Sequence, residues 1–466
     1  MRPTISGRGR SVRSGDNASG SSRTETSART TWHTHYALLM LALIYVFNYI
    51  DRLVISILIE PIKLEFGVSD TAIGLLSGVA FALFYTAFGL PFGRLADRIG
   101  PKPVIALACI AWSVMTMTCG LATSFAILLL CRIGVAVGEA GGTAPSVAMV
   151  SALYPPQRRS LALSVFLMGP SLGAVIGLGV GGWVAEIWGW RTAFIAIGAP
   201  GVLLGLVFAL TVRAPASTTT VKGQARGADE NWRTTLRSLL ATPAFPWIVA
   251  TGGIAATTGY ALGTWNPSFL IRSHGLTMQH AGLLIGVGGG LVSTVGTLVC
   301  GAVTDRMVRR DPGWQIGVPL IATALSIPFG IAYFLWPTGI AFQLGYLPVP
   351  QAFLFYLGFG FFGTWWSVPC FGAISHLFPA HRLAQATAIF VMAMTLLGVG
   401  FGPLIVGALS DALSARIGTE ALRYALAASV ALLGLAVACL AIALPRYRNR
   451  LGAAEAHAPE AVTNPA

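Results

Sequence analysis

Twelve apolar runs, each long enough to cross a bilayer, constrain this chain more than any other feature. A membrane-spanning helix needs about 20 consecutive, mostly apolar residues. Such runs lie at about 36–59, 71–93, 103–122, 124–153, 160–184 and 192–212, and again at 244–271, 280–303, 315–336, 350–377, 385–409 and 421–444. We therefore predict an all-α integral membrane protein with 12 transmembrane helices.

Composition supports this class and excludes several others. Only 10% of the residues are charged and 55% are hydrophobic, whereas soluble domains carry about 25% charged residues. The six cysteines all lie in apolar runs without paired or metal-like spacing, so they indicate neither disulfides nor a metal site. Because no nucleotide-binding loop is visible, an ATP-driven pump or another enzyme is not indicated, and no bound cofactor is expected.

The positions of lysine and arginine predict the topology. The net charge of +13 would suggest nucleic acid as the partner of a soluble protein. Here most basic residues fall in alternate loops, which marks those loops as cytoplasmic and places both termini inside. We predict a disordered cytoplasmic tail at 1–35, a first six-helix bundle at 36–213, a cytoplasmic linker at 214–243, a second bundle at 244–445 and a cytoplasmic tail at 446–466. Nucleic acid is not an expected partner.

Short motifs repeat between the two sets of six runs. The frame Gly93-Arg-Leu-Ala-Asp97-Arg98 ends run 2, and Gly301-Ala-Val-Thr-Asp305-Arg306 ends run 8. Pro and Arg after run 4 also recur after run 10 at one constant separation. Repeated six-helix halves with a substrate site between them are typical of secondary transporters. The sequence thus predicts two pseudo-symmetric bundles.

These motifs resemble a known family. Twelve runs in two halves, with Gly93-Arg-Leu-Ala-Asp-Arg-Ile-Gly-Pro-Lys102 after run 2, resemble the major facilitator superfamily over about residues 36–446. Further stretches resemble its spinster branch of sphingolipid and lysolipid transporters: Asn48–Arg52, Glu60–Lys63, Gly74–Gly78 with Phe81–Tyr85, Arg132–Ala140 and Ala261–Arg272. Related organic-anion porters share a run 4 of this type. The resemblance implies a lysophospholipid- or sphingolipid-like substrate.

The repeated frame predicts a gate. Glycine lets helices approach closely, and Asp97 near the inner end of a helix can face the positive N-terminus of a helix in the other half. In the family that the chain resembles, this frame forms a latch that holds one access state. The gating candidates are Gly93, Asp97, Arg98, Lys102, Asp305 and Arg306. Alternatively, these charges are solvated and serve only topology.

Four charges inside apolar runs are the candidates for coupling. Asp51 and Arg52 lie within run 1, and Arg132 and Glu139 lie within run 4 at a similar predicted depth. Charges at this depth cost several kcal/mol unless they are paired or face a wet cavity. We predict that Asp51 and Glu139 carry protons, the role that the resemblance implies for the acid of run 1. Arg52 and Arg132 would neutralise them or bind a substrate anion. The alternative is two closed ion pairs that only tie the helices together.

Polar and aromatic residues at similar depth are candidates for the substrate cavity. They are Tyr45, Asn48, Tyr49, Phe84, Tyr85, Thr143, Tyr260, Trp265 and Trp365 with its neighbour Trp366. Packing against lipid is the alternative for any single aromatic residue. A charged first half that faces a neutral, aromatic second half suits an amphipathic substrate.

We therefore expect a monomeric secondary transporter of the cell inner membrane that works by alternating access. The proton gradient would drive an amphipathic or anionic small molecule across the bilayer. One alternative is a proton-coupled uptake porter for organic anions or carboxylates. Another is a non-transporting membrane receptor, although no sensory domain is visible.

Overall fold

The computed structural model describes residues 32–213 and 232–456, which are almost entirely helical. The first half contains α1 (Trp32–Phe66), α2 (Asp70–Gly74), α3 (Ala80–Ile99), α4 (Pro101–Cys119), α5 (Phe125–Ala140), α6 (Thr143–Leu153), α7 (Pro156–Leu167) and α8 (Gly169–Thr211). The connection between the halves contains α9 (Trp232–Leu240).

The second half repeats this order and adds a hairpin. It contains α10 (Phe245–His274), α11 (Met278–Leu283), α12 (Gly290–Val308), α13 (Trp314–Leu335), the antiparallel strands β1 (Ile340–Leu344) and β2 (Leu347–Pro350), α14 (Gln351–Phe362), α15 (Ser367–Leu377), α16 (Ala380–Ala393), α17 (Gly402–Ile417), α18 (Ala421–Ala431) and α19 (Leu433–Ala456). Wider π-helical turns at Leu75–Val79, Leu284–Gly289 and Met394–Phe401 join α2 to α3, α11 to α12 and α16 to α17.

Each predicted apolar run is helical over most of its length. Eight continuous helical segments among the described residues are long and apolar enough to cross a membrane, and Gln157–Thr211 and Arg382–Gly452 each contain two predicted runs. The all-α prediction is confirmed apart from the small hairpin. The count of twelve crossings stays a prediction.

Several boundaries differ from the predicted ones. The first helix begins at Trp32, inside the predicted tail 1–35, and the last runs to Ala456, beyond the predicted boundary at 445. The predicted break between runs 5 and 6 is a kink at Gly189 (φ 84°), a backbone angle that glycine adopts without strain. Most of the predicted tails and linker, at 1–31, 214–231 and 457–466, lie outside the described residues.

We name the two ends of the bundle after the predicted orientation. The outer end carries Asp70, Arg272 and Asp411, and the inner end carries Asp97 and Asp305. At the outer end the halves contact each other, α2 against α17 and α8 against α11.

Glycines bring the backbone of α8 against α1 and thereby fix the position of the charged residues. A Cβ atom on Gly177 would lie 3.1 Å from the Cα of Ile50, and one on Gly173 would lie 2.9 Å from the carbonyl oxygen of Val46. Small residues of this kind allow close helix packing in membranes. With α8 behind it, α1 presents Asn48, Asp51 and Arg52 toward α4 and α5.

Candidate transport site

The first ion pair of the site joins α1 to α5. Arg52 donates to Oε2 of Glu139 from Nη2 at 2.7 Å and from Nε at 3.2 Å. The Glu139 side chain is fully buried and that of Arg52 is 15% exposed. A charge-assisted contact of this length is strong, but only Arg52 can be reached from solvent.

Asp51 and Arg132 meet in a different way. Both residues are buried, and Nη1 of Arg132 donates to the main-chain carbonyl of Asp51 at 3.2 Å rather than to its carboxyl group. Oδ1 of Asp51 and Nε of Arg132 have no hydrogen-bond partner among the described residues. The four predicted charges therefore come together, but as one ion pair and one pair that touches only through the backbone.

Three aromatic rings surround the guanidinium group of Arg52. Its central carbon lies 5.1 Å from the ring centroid of Tyr49, 4.8 Å from that of Phe81 and 5.1 Å from that of Tyr85. These distances are within the range of cation–π attraction. The rings surround the guanidinium group while it stays paired with Glu139.

Behind the charges lies a set of buried polar atoms that sequence reasoning missed. The hydroxyls of Ser113 and Thr116 and the indole nitrogen of Trp112, all on α4, have no hydrogen-bond partner among the described residues. Thr116 faces the Asp51 carboxyl group and Asn48 faces Glu139, although neither pair closes a hydrogen bond. The sequence did contain a signal, because Ser113 and Thr116, with Thr118, are polar residues within a mostly apolar run.

A cavity of about 420 Å³ opens beside the charged cluster. Its wall comes from the second half except for Leu53, which directly follows Arg52. All its described lining residues are uncharged, and they include the polar or aromatic side chains of Thr258, Tyr260, Asn266, Ser293, Tyr356 and Trp366. Tyr260 lines the cavity and also interacts electrostatically with the guanidinium group of Arg52. It therefore connects the cavity with the charged cluster.

The predicted cavity residues divide into two groups. Tyr260 lines the cavity, and Tyr49 and Tyr85 face Arg52. Trp265 instead is fully buried and donates its indole N–H to the Pro403 carbonyl at 2.9 Å.

Trp365 and the remaining first-half candidates do not line this cavity. Trp365 is 8% exposed and packs against Phe361 and Phe362, while the adjacent Trp366 lines the cavity. Tyr45 stacks on Phe166 with centroids 4.4 Å apart. Phe84 packs on a small cluster that contains Phe81 and Val399, and Thr143 begins α6.

The predicted gating residues lie apart at the inner end. A Cβ atom on Gly93 or Gly301 would meet nothing within 4 Å. The side chains of Asp97, Arg98, Asp305 and Arg306 are exposed, and Lys102 is half-buried. Among the described residues, the two glycines are therefore not packed against another helix and the two acids are exposed, so the predicted latch is not closed in this conformation.

The outer end, by contrast, is bridged by an ionic network. Arg272 of α10 donates to both carboxylate oxygens of Asp70 at 2.8 Å and to Glu60 of α1 at 2.8 Å. Lys63 donates to Asp70 at 2.5 Å, and Ser410 of α17 donates to it at 2.7 Å. The network joins the two halves, so this conformation is closed at its outer end.

Comparisons with known proteins agree with this arrangement. A model of the Major Facilitator Superfamily matches residues 41–396. An MFS-type efflux pump of Mycolicibacterium smegmatis is 35% identical over 415 residues, which cover 88% of this chain and 92% of that protein. A D-galactonate transporter of Escherichia coli is 26% identical over 401 residues, which cover 81% of this chain and 89% of that protein.

A solved structure is also similar to this chain over most of its length. It is a bacterial homolog of the human lysosomal transporter spinster in an inward-facing and unoccupied conformation. It matches with a TM-score of 0.78 at 29% identity and covers 90% of this chain and 98% of that chain. The predicted resemblance to spinster proteins is confirmed. The matched family model, the relative from M. smegmatis and the bundle of apolar helices show that the chain belongs to the Major Facilitator Superfamily and is a multi-pass membrane transporter, not an enzyme.

Proposed function

We propose that this transporter moves an amphipathic molecule, lysophospholipid- or sphingolipid-like, across the inner membrane by proton-coupled alternating access. This proposal rests on the position of the uncharged cavity next to the charged cluster. Leu53 lines the cavity and the adjacent Arg52 holds Glu139. An apolar tail would fill the cavity while a polar or anionic head group lies near Arg52.

Proton coupling is supported by the unequal pairing of the two acids. Glu139 has a base within hydrogen-bond distance, whereas the carboxyl group of Asp51 has none among the described residues. A buried carboxylate without a base costs several kcal/mol. Asp51 therefore holds a proton in this conformation and releases it when a base or water reaches it, and the proton gradient is the only driving force required.

Export is the direction that we propose, because the relative from M. smegmatis is named an efflux pump. We also propose that the transporter works as a monomer with both termini in the cytoplasm. The orientation rests on the excess of lysine and arginine in the loops of the inner end.

Uptake of a small carboxylate is the second candidate function. Two arginines on facing helices favour it, Arg132, which is buried, and Arg52, whose side chain is 15% exposed, since guanidinium groups bind carboxylates with two parallel hydrogen bonds. The E. coli relative is named a D-galactonate transporter. Against this candidate, the described residues that line the cavity are all uncharged and most are apolar, so they offer a small anion no opposite charge. A receptor without transport activity has no observation in its favour.

A ligand-stabilisation screen on the purified protein separates the candidates. Lysophosphatidylethanolamine and lysophosphatidylglycerol are compared with galactonate and gluconate, each over a concentration series, with the unfolding temperature as readout. Saturable stabilisation by a lysophospholipid, but not by its separate glycerophosphate head group, supports the proposal. Stabilisation by the carboxylates alone would replace it with the second candidate.

A further inference from the structure

Two acidic side chains at the outer end each reach across from one half to the first turn of a helix in the other half. Oδ1 of Asp411, on α17, accepts the Asp70 N–H at 3.0 Å. Its Oδ2 accepts the N–H of Thr71 at 2.7 Å and the hydroxyl of Thr71 at 2.6 Å. Oε2 of Glu186, on α8, accepts the Met278 N–H at 3.0 Å.

The capped turns begin long, continuous helices. Asp70 begins a helical segment that extends to Ile99, and Met278 begins one that extends to Val308. The first N–H groups of a helix have no partner within the helix, and the aligned peptide dipoles favour a negative charge there. Asp411 and Glu186 supply such a partner and such a charge from the opposite half.

A glycine four residues before each acid permits the contact. A Cβ atom on Gly407 would overlap the carbonyl oxygen of Asp70, and one on Gly182 would lie 2.6 Å from that of Met278. The two stretches, Gly407-Ala-Leu-Ser-Asp411 and Gly182-Trp-Val-Ala-Glu186, share the spacing of a glycine followed at the fourth position by an acid.

The capped helices bring glycines of their own to the same two interfaces. A Cβ atom on Gly74 would lie 2.6 Å from the Pro403 carbonyl oxygen, and one on Gly282 would overlap that of Leu178. Backbone therefore meets backbone on both sides of the pseudo-symmetric bundle, once between α2 and α17 and once between α11 and α8.

The same spacing occurs at the inner end with the opposite outcome. Gly93 precedes Asp97 and Gly301 precedes Asp305 by four residues, but these glycines face open space and both acids are exposed. The chain thus carries four frames of glycine and acid, two at each end. The two acids at the outer end cap a helix of the opposite half, whereas the two acids at the inner end are exposed.

We propose that Asp411 and Glu186 are the outer latches of the transport cycle. They hold the outer end closed by capping helices of the opposite half, and they release those helices when the inner frames engage. This inference rests on alternating access as proposed above. It does not depend on the substrate or on proton coupling, because the caps are contacts within the chain.

Distance measurements between the two halves test the latches. Spin labels on non-natural amino acids at Leu64 and Ala415, both exposed near the outer end, leave the native cysteines in place. Double electron–electron resonance on protein in nanodiscs, without substrate or gradient, compares the wild type with Asp411→Ala, Glu186→Ala and the double variant. The matched control is Glu420→Ala, since Glu420 is an acid of the outer end that pairs with Arg423 inside its own half.

Each single substitution is expected to raise the ratio of outer-open to outer-closed molecules by about fivefold, the effect of one lost helix cap. The double variant should show roughly the product of the two effects. If either alanine variant does not fold, Asp411→Asn and Glu186→Gln remove the charge at nearly constant size and should give a smaller shift in the same direction. Distance distributions that coincide with those of Glu420→Ala would refute the latches. Failure of lysophospholipid transport would instead refute the proposed function and leave this result unaffected.

Discussion

Arg52 directs two donors to a single oxygen of Glu139, Nη2 at 2.7 Å and Nε at 3.2 Å. The base that follows Asp51 in the chain is therefore occupied by an acid of another helix. Asp51 receives from Arg132 only a hydrogen bond to its main-chain carbonyl. The two acids and two bases thus form one complete ion pair and one incomplete pair. In this arrangement a small movement of a helix can change which base pairs with which acid.

Asp51→Asn is expected to uncouple transport from the proton gradient. The amide has nearly the size of the protonated acid, so folding and lysophospholipid binding should persist. Proteoliposomes with an imposed pH gradient and fluorescent lysophosphatidylethanolamine should show no gradient-driven accumulation, while exchange without a gradient continues. Glu420→Gln, which changes an acid outside the site, should behave as the wild type. Accumulation by Asp51→Asn against a concentration gradient would contradict the proton role.

Glu139→Ala is expected to lower the free energy of unfolding more than a substitution that breaks an ion pair at the surface. It leaves the largely buried Arg52 without its acid, a change that typically costs about 3–5 kcal/mol. Glu65→Ala breaks a pair with Arg191 in which both side chains are more than one-third exposed, so the expected loss of stability is much smaller. Thermal unfolding in detergent compares the two. Equal unfolding temperatures would mean that the buried pair contributes little.

Much of the fold could be predicted because its signals are local. Runs of apolar residues placed the helices, and charges inside those runs marked Asp51, Arg52, Arg132 and Glu139. The pairing could not be predicted, since it depends on how each helix is rotated about its own axis. A rotation of a few tens of degrees would bring a different base to Asp51.

Contacts between the halves could not be predicted from the sequence for a different reason. Asp411 caps a turn at Asp70 that lies far away in the sequence, and no local pattern indicates which acid faces which helix. The sequence marked Arg272 only as the last residue of a stretch that resembles the spinster branch. The structure instead joins Arg272 to Asp70 and Glu60 inside the outer network.

Trp365 and Trp366 are expected to have separate effects although they are adjacent in the chain. The indole of Trp366 lines the cavity, so Trp366→Ala should weaken lysophospholipid binding by tenfold or more. Trp365 is packed against Phe361, so Trp365→Ala should lower stability by about 3–5 kcal/mol. Titrated stabilisation by lysophosphatidylethanolamine measures affinity, and unfolding without ligand measures stability. The opposite assignment of the two effects would show that the cavity is not the binding site.

Gly407→Ala is expected to disfavour closure of the outer end. Its methyl group would overlap the Asp70 carbonyl, a backbone atom that cannot rotate away, and overpacking of this kind costs about 1–3 kcal/mol. Gly434→Ala is the matched control, because a Cβ atom there meets nothing within 4 Å and should change stability by about 0.5 kcal/mol or less. The distance between labels at Leu64 and Ala415 should lengthen in Gly407→Ala and stay unchanged in Gly434→Ala. If both variants keep the distance and unfolding temperature of the wild type, close approach at Gly407 is not what permits the outer end to close.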